Sequence, residues 1–384
     1  MKGPTKDSHK GRPKSGVRLV NPPTQCGSTV LFPDFASFRA KQRPWHYGRT
    51  GTPTHRAFEE SLGELEGTEH VFLTGSGLSA CTLALMSVAE KDGHILVTDS
   101  AYEPTRAFCD QYLKSIGVET TYFDPYVDEE AMRALIRPNT QGIFCESPGS
   151  LTFEIQDIPA IVRAAGDIPV MVDNTYGAGV FYRPLELGAA ISIQALTKYV
   201  GGHSDLLMGS VAVRKDLAPK VQRTARIIGN SVSGHDVALA HRGLRSLHRR
   251  LEVHEKSGLA IARWLDARPE IAQVLHPGLE SHPRHNLWAR DASGTNGLFS
   301  VIANWEDEET TARFIDALEF FGLGYSWGGY ESLCLPCWPA SVRTATAWSD
   351  PRQLLRFHIG LEDVDDLTAD LERAFLKVAD REYQ

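Results

Sequence analysis

Short apolar runs that end on a polar residue set the rhythm of the chain from Glu69 onward. They are His70-Val71-Phe72-Leu73-Thr74, His94-Ile95-Leu96-Val97-Thr98, Gly142-Ile143-Phe144-Cys145-Glu146, Pro169-Val170-Met171-Val172-Asp173 and Ile191-Ser192-Ile193-Gln194-Ala195. Each has the length of a strand, and helical patterns such as 79–90 and 128–136 fall between several of them. Strands alternating with helices predict stacked βαβ units, hence a mainly parallel sheet covered by helices on both faces. After about residue 240 the texture changes. Helical stretches over 247–267 and 308–321 alternate with candidate strands over 297–303 and 354–359, and the chain closes on an acidic amphipathic helix over 364–379. The first forty-odd residues mix Pro, Gly, Lys and Arg without a period and predict an extended arm with a disordered tip. The chain thus divides into an arm at 1–51, a large domain at 52–243 and a smaller C-terminal α/β domain at 244–384.

Composition narrows the classes. With 384 residues, 42% of them apolar and 23% charged, the chain affords a large core in two domains. Forty basic against 48 acidic side chains leave a net charge of −8, which argues against a nucleic-acid partner. No run approaches the roughly 18 apolar residues of a membrane span, and residues 1–18 lack the apolar stretch of a secretory signal. Six cysteines in a chain this long read as reduced, mostly buried thiols, so the cytoplasm is the expected compartment. Cys334-Leu335-Pro336-Cys337 has CxxC spacing, but no second pair or nearby histidines complete a tetrahedral metal site. Core packing is its simpler reading, and no metal is expected.

Ligands of doubly wound sheets collect at the carboxyl ends of the strands, and three polar features fall there. Asp173 closes an apolar run, Lys198 ends the segment after Ile191-Ser192-Ile193-Gln194-Ala195, and Thr74-Gly75-Ser76-Gly77-Leu78 turns from a strand into a helix. A single lysine is usually a solvated charge, a strand-end aspartate is often a cap, and Gly75-Ser76-Gly77 lacks the third glycine of a dinucleotide site. Together they offer an amine, an anion for a cationic ring nitrogen and a helix start for a phosphate, which is what pyridoxal phosphate demands.

Longer motifs carry a resemblance. Tyr47-Gly48-Arg49-Thr50-Gly51-Thr52-Pro53-Thr54, Ala101-Tyr102-Glu103-Pro104, Glu146-Ser147-Pro148-Gly149-Ser150, Val172-Asp173-Asn174-Thr175, Ser192-Ile193-Gln194-Ala195-Leu196-Thr197-Lys198-Tyr199, Tyr325-Ser326-Trp327-Gly328-Gly329-Tyr330-Glu331-Ser332 and His358-Ile359-Gly360-Leu361-Glu362-Asp363 occur in this order. From about Tyr47 to the C-terminus the chain resembles the pyridoxal-phosphate enzymes of cysteine and methionine metabolism. Glu146-Ser147-Pro148-Gly149-Ser150 resembles their bacterial β-lyase branch, which splits cystathionine, whereas γ-lyases and γ-synthases typically show ESPTNP there.

The resemblance implies a seven-stranded-type, mainly parallel sheet in the large domain, which becomes the cofactor-binding one. It implies that Lys198 carries pyridoxal 5'-phosphate, that Asp173 pairs with its ring nitrogen and that Tyr102 stacks on its ring. Ser76, Gly77 and Leu78 with the Thr197 hydroxyl are placed to hold the phosphate. Tyr47 and Arg49 match a pair that reaches the cofactor and substrate from a neighbouring subunit, which implies a homotetramer of two dimers with shared sites. Arg356 matches the guanidinium that forks onto the substrate carboxylate, and Ser326 and Trp327 line the same pocket. Lys198, Tyr102 and Asp173 are thus the expected catalytic residues, acting on a small sulfur-containing amino acid. The expected reaction is β-elimination of L-cystathionine to homocysteine, pyruvate and ammonia; a cysteine-S-conjugate or cystine β-lyase, or a γ-lyase or γ-synthase on the same scaffold, is the alternative. A non-catalytic binding relative is disfavoured, because Lys198 and Asp173 are both present. One departure stands out: Arg226 occupies the place of a tyrosine near the distal end of the substrate.

Overall fold

The computed structural model describes residues 2–12, 19–41 and 45–379. The apolar runs become strands of one sheet: β1 (Val71–Thr74), β2 (His94–Thr98), β3 (Glu119–Phe123), β4 (Thr140–Glu146), β5 (Val170–Asp173), β6 (Ile191–Ala195) and β7 (Gly209–Val213). Their order is β1-β7-β6-β5-β4-β2-β3. Strands β6, β5, β4, β2 and β3 run parallel, and only β7 opposes its neighbours β1 and β6. Strands β2 and β5 are buried along their whole length, which is why they read as continuous apolar runs rather than alternating ones. The helices Gly77–Val88 and Ala218–Ile227 cover one face through Leu83, Leu85 and Val221, and the helix Ile158–Ala165 covers the other through Ile158 and Ile161.

A second, wholly antiparallel sheet follows: β8 (Ile271–Leu275), β9 (Leu298–Ala303), β10 (Leu333–Cys337) and β11 (Leu354–His358), in the order β10-β11-β9-β8. The helices Leu247–Asp266, Glu308–Asp316 and Val364–Ala379 close over it around Phe299, Phe314, Phe357 and Phe375. Leu298, Ile302 and Leu354 of this sheet share a core with Ile143 and Val172 of the first, so the two sheets are packed together. No helix among the described residues is long and apolar enough to cross a membrane.

Four strands were not among the apolar runs. Strand β3 lies at the sheet edge with only Phe123 fully covered, so its Thr-rich sequence needs no apolar run. Strand β7 packs glycine, serine and alanine against its neighbours, β8 is an edge strand with a register shift between Ile271 and Gln273, and β10 contains a proline. The helix expected over 308–321 stops at Asp316, because the buried Asp370 carboxylate takes the N–H groups of Glu319 and Phe320 and turns the chain. The arm also departs from expectation. Residues 3–9 are not disordered but form the helix Gly3–His9, docked on Leu247–Asp266. The Asp7 carboxylate is buried against the His248 ring, and Arg245 donates to the carbonyl oxygens of Asp7 and Lys10, so these contacts hold the segment down. Residues 13–18 of the expected tip lie outside the described residues.

Candidate active site

Parallel strands deliver their last residues to one edge of the sheet. Glu146 ends β4 and Asp173 ends β5, at the same register level on neighbouring strands. The turn after β6 presents Lys198, whose own N–H closes onto the Ala195 carbonyl at 3.1 Å. Lys198 is half-buried. Its Nζ donates to Ser326 Oγ at 2.9 Å and lies 5.2 Å from the centre of the Trp327 ring. Gly328 presses the 326–329 loop onto this lysine: its φ is +84°, and a Cβ there would come within 2.9 Å of the Lys198 carbonyl carbon. Burial, reinforced by the Arg356 guanidinium, brings the Lys198 amine down to about 8, with Asp173 opposing.

Arg356 sits in β11, on the second sheet, and donates to the carbonyl oxygens of Tyr325 at 2.7 Å and Ser326 at 3.3 Å. It therefore holds the loop that holds Lys198. Glu146, Asp173, Thr175, Trp327 and Arg356 share the wall of one cavity of about 40 Å³.

Asp173 is held from two sides. Its Oδ1 accepts from the Thr175 N–H and hydroxyl, its Oδ2 from the Cys81 thiol at 3.5 Å. The Thr175 hydroxyl oxygen also accepts the Ala195 N–H at 2.9 Å, which ties the ends of β5 and β6 together. Burial pushes the Asp173 carboxyl up, partly offset by the Thr175 bonds. A buried acid in that state is completed by a cation. Tyr102 caps the helix Glu103–Ala107, its N–H bound to Glu146 Oε2 at 2.7 Å, and the residue is 46% exposed. Burial and then the Glu146 carboxylate push its phenol up, while Arg356 acts the other way.

The phosphate end is built by close approach. Ser76 caps the helix Gly77–Val88 by accepting the Ser79 N–H at 3.1 Å, leaving the N–H groups of Gly77 and Leu78 at the positive end of the helix. A Cβ on Gly77 would stand 2.4 Å from the Ala195 Cβ, so only glycine lets the helix begin this close to the end of β6. Thr197 is anchored alongside, its hydroxyl accepting the Met208 N–H at 3.1 Å. Amine, buried carboxylate, helix start and hydroxyl thus fit pyridoxal phosphate.

Ser76, Gly77, Leu78, Tyr102, Asp173, Thr197, Lys198, Ser326, Trp327 and Arg356 accordingly gather around the ends of β4, β5 and β6. Tyr47 and Arg49 do not join them within the chain. They lie on the arm, where the Gly48 N–H binds the Ser28 carbonyl at 2.7 Å, and Arg49 lines a separate cavity of about 230 Å³ with Glu59, His70 and Arg226. The two cavities have no lining residue in common. Glu146, Thr175 and Cys81 were not singled out from the sequence. Glu146 closes an apolar run just as Asp173 does, so the same pattern marks it; nothing in the local sequence marks Cys81, which reaches Asp173 only through helix packing. Cys334 and Cys337 stand three apart on β10 and therefore face opposite sides of the sheet, Cys334 packing with Phe357 and Cys337 with Leu354.

Residues 5–376 match the family model described as Cys/Met metabolism PLP-dependent enzyme. The cystathionine beta-lyase of Bordetella avium is 40% identical over 378 residues, covering 96% of this chain and 94% of that protein. The cystathionine beta-lyase MetC of Escherichia coli is likewise 40% identical over 378 residues, covering 95% of each. The crystal structure of metB from Corynebacterium glutamicum superposes with a TM-score of 0.91 at 31% identity, covering 98% of both chains.

Proposed function

The chain belongs to the Cys/Met metabolism PLP-dependent enzyme family, and from that premise we infer that it is a carbon–sulfur lyase cleaving L-cystathionine by β-elimination. The observation that carries the reading is the convergence of Lys198, Asp173 and the Gly77 helix start on one sheet edge, beneath the Arg356 guanidinium. Bound pyridoxal phosphate supplies an electron sink for the pair left at Cα when its proton departs. Lys198 would hold it, Asp173 would pair with its ring nitrogen, and Gly77, Leu78 and Thr197 would take its phosphate.

The chain's own residues do the rest. Arg356 forks onto the substrate α-carboxylate and orients the Cα–H bond toward Lys198. The Lys198 amine, lowered to about 8 by burial and by Arg356, takes that proton in its neutral form. The resulting ammonium returns a proton to the sulfur as the Cβ–S bond breaks, so homocysteine leaves, and water converts the remaining three-carbon fragment to pyruvate and ammonia. One lysine thus serves both transfers. Tyr102 covers the site, and Ser326 and Trp327 keep the amine in place.

Tyr47 and Arg49 serve, in this reading, the site of a neighbouring copy in a tetramer of two dimers; their position away from Lys198 of their own chain supports it. Six free cysteines suit the reducing cytoplasm. Incubating the protein with cystathionine should release pyruvate and homocysteine, and 2-oxobutyrate with cysteine would instead mean γ-cleavage. Lys198→Ala should lose both turnover and the visible absorbance of bound cofactor; keeping either contradicts the assignment.

A further inference from the structure

Two carboxyl groups, not one, stand at the floor of the site. Glu146 and Asp173 occupy the same level on adjacent parallel strands and line one cavity, so a charge on either disfavours a charge on the other. Asp173 has three donors of its own, from Thr175 and Cys81. Glu146 has a different partner: its Oε2 accepts the Tyr102 N–H at 2.7 Å. That N–H belongs to the residue that caps the helix Glu103–Ala107, and the cap makes no side-chain hydrogen bond of its own. The Glu146 contact therefore ties the stacking aromatic residue to the end of β4. Glu146 also lines the cavity it shares with Asp173, Trp327 and Arg356.

We propose that Glu146 is a positioning residue, which acts as a neutral acid to fix the Tyr102 ring over the cofactor while leaving the single negative charge beneath it on Asp173. The proposal rests on the reading of Lys198 and Asp173 as a pyridoxal-phosphate site. Burial and the neighbouring Asp173 charge both push the Glu146 carboxyl well above its ordinary range, in keeping with a neutral form. A neutral carboxyl still accepts an N–H, so the contact survives the loss of charge. An ionised Glu146 would instead add a second anion beside the ring nitrogen and leave Arg356 a competing partner for the substrate carboxylate.

Glu146→Gln and Glu146→Ala separate the two parts of the idea, because glutamine keeps the neutral acceptor and cannot ionise, whereas alanine removes the acceptor altogether. Both are measured as holoenzyme, by cofactor affinity from the visible absorbance on titrating apoprotein, by the circular dichroism of that band and by kcat/KM for cystathionine. The glutamine variant should stay within about threefold of wild type in all three. The alanine variant should bind cofactor roughly tenfold more weakly, the scale of one lost hydrogen bond in a buried site, with weakened dichroism and a kcat/KM loss of similar size. Combining Glu146→Ala with Tyr102→Ala should cost little more than Tyr102→Ala alone, since the glutamate would act through the tyrosine. Fully additive losses would overturn the positioning role, and a glutamine variant as impaired as alanine would overturn the neutral form. If alanine fails to fold, the glutamine variant and its pH profile decide: an unchanged profile supports the neutral acid, and a shifted one contradicts it. Wild-type protein that takes up no pyridoxal phosphate would sink the functional reading itself, a result separate from any of these.

Discussion

At Lys198 the charge state follows from what surrounds the amine rather than from the residue itself. Burial comes first, the Arg356 guanidinium adds to it, and Asp173 works against both, with the balance at about 8 instead of the ordinary 10.5. A lowered pKa on a base means a larger neutral fraction near neutrality. Uptake of pyridoxal phosphate by apoprotein should therefore quicken as pH rises through about 8 and level off above it, whereas a rate still climbing toward 10.5 in stopped-flow absorbance would contradict the burial seen here. Both Lys198 and Asp173 were legible beforehand, Asp173 as the last residue of an apolar run and Lys198 in the turn just past one, although only their combination with the surrounding motifs marked them. The partners that set their protonation were less so, for Arg356 was reached only through the motif resemblance and Cys81 not at all. Arg356 comes from the second sheet, and Cys81 reaches Asp173 across a helix that nothing in the local sequence aims at it.

Among the elements, the segment after β10 shows how one side chain can hold a long connection in place. Asp99, just past β2, accepts the N–H groups of Thr344 at 3.0 Å, Ala345 at 3.1 Å and Thr346 at 2.8 Å, and Arg106 pairs with it at 2.8 Å. Burial alone would raise this carboxyl, but the Thr344, Thr346 and Ala345 donors outweigh it and hold it down at about 2. Asp99→Ala would leave Arg106 buried without its anion and several N–H groups unmet, at a cost of about 3–5 kcal/mol. Thermal or urea unfolding should show it; a variant within 1 kcal/mol of wild type, roughly the effect of a surface change, would contradict the latch. The pH dependence has a definite sign. A folded pKa below the ordinary 3.8 means the contribution is whole above that value and is lost as pH falls toward about 2. Element identity was readable where uniformly buried strands carry bulky apolar side chains, as in β2 and β5, and in the amphipathic terminal helix Val364–Ala379. It failed at β3, β7, β8 and β10, where strands are at an edge, built of small residues, irregular or proline-bearing and local pattern says little.

For the molecule as a whole, the site is a joint between sheets: Lys198 and Asp173 belong to the first, Arg356 to the second, and Leu298 and Leu354 pack the second onto the first. If Arg49 completes a neighbour's site, as proposed, then Arg49→Ala and Lys198→Ala should each be nearly inactive alone. Subunits mixed after gentle dissociation should recover part of the wild-type activity, because some sites in the hybrid carry both native residues. No recovery in hybrids verified by mass spectrometry would place Arg49 outside the chemistry. By itself the chain's order of residues determined the βαβ rhythm and the two-part organisation of elements, which rest on local periodicity, and its motifs marked the cofactor class and the lysine and aspartate proposed to face it. Tertiary structure alone decided that the N-terminal segment 3–9 docks as a helix, that CxxC splits across a sheet, that Tyr47 and Arg49 stand apart from Lys198, and that Glu146 meets Tyr102. Those outcomes depend on contacts between residues far apart in sequence, where packing and the need to satisfy buried polar groups override any local preference.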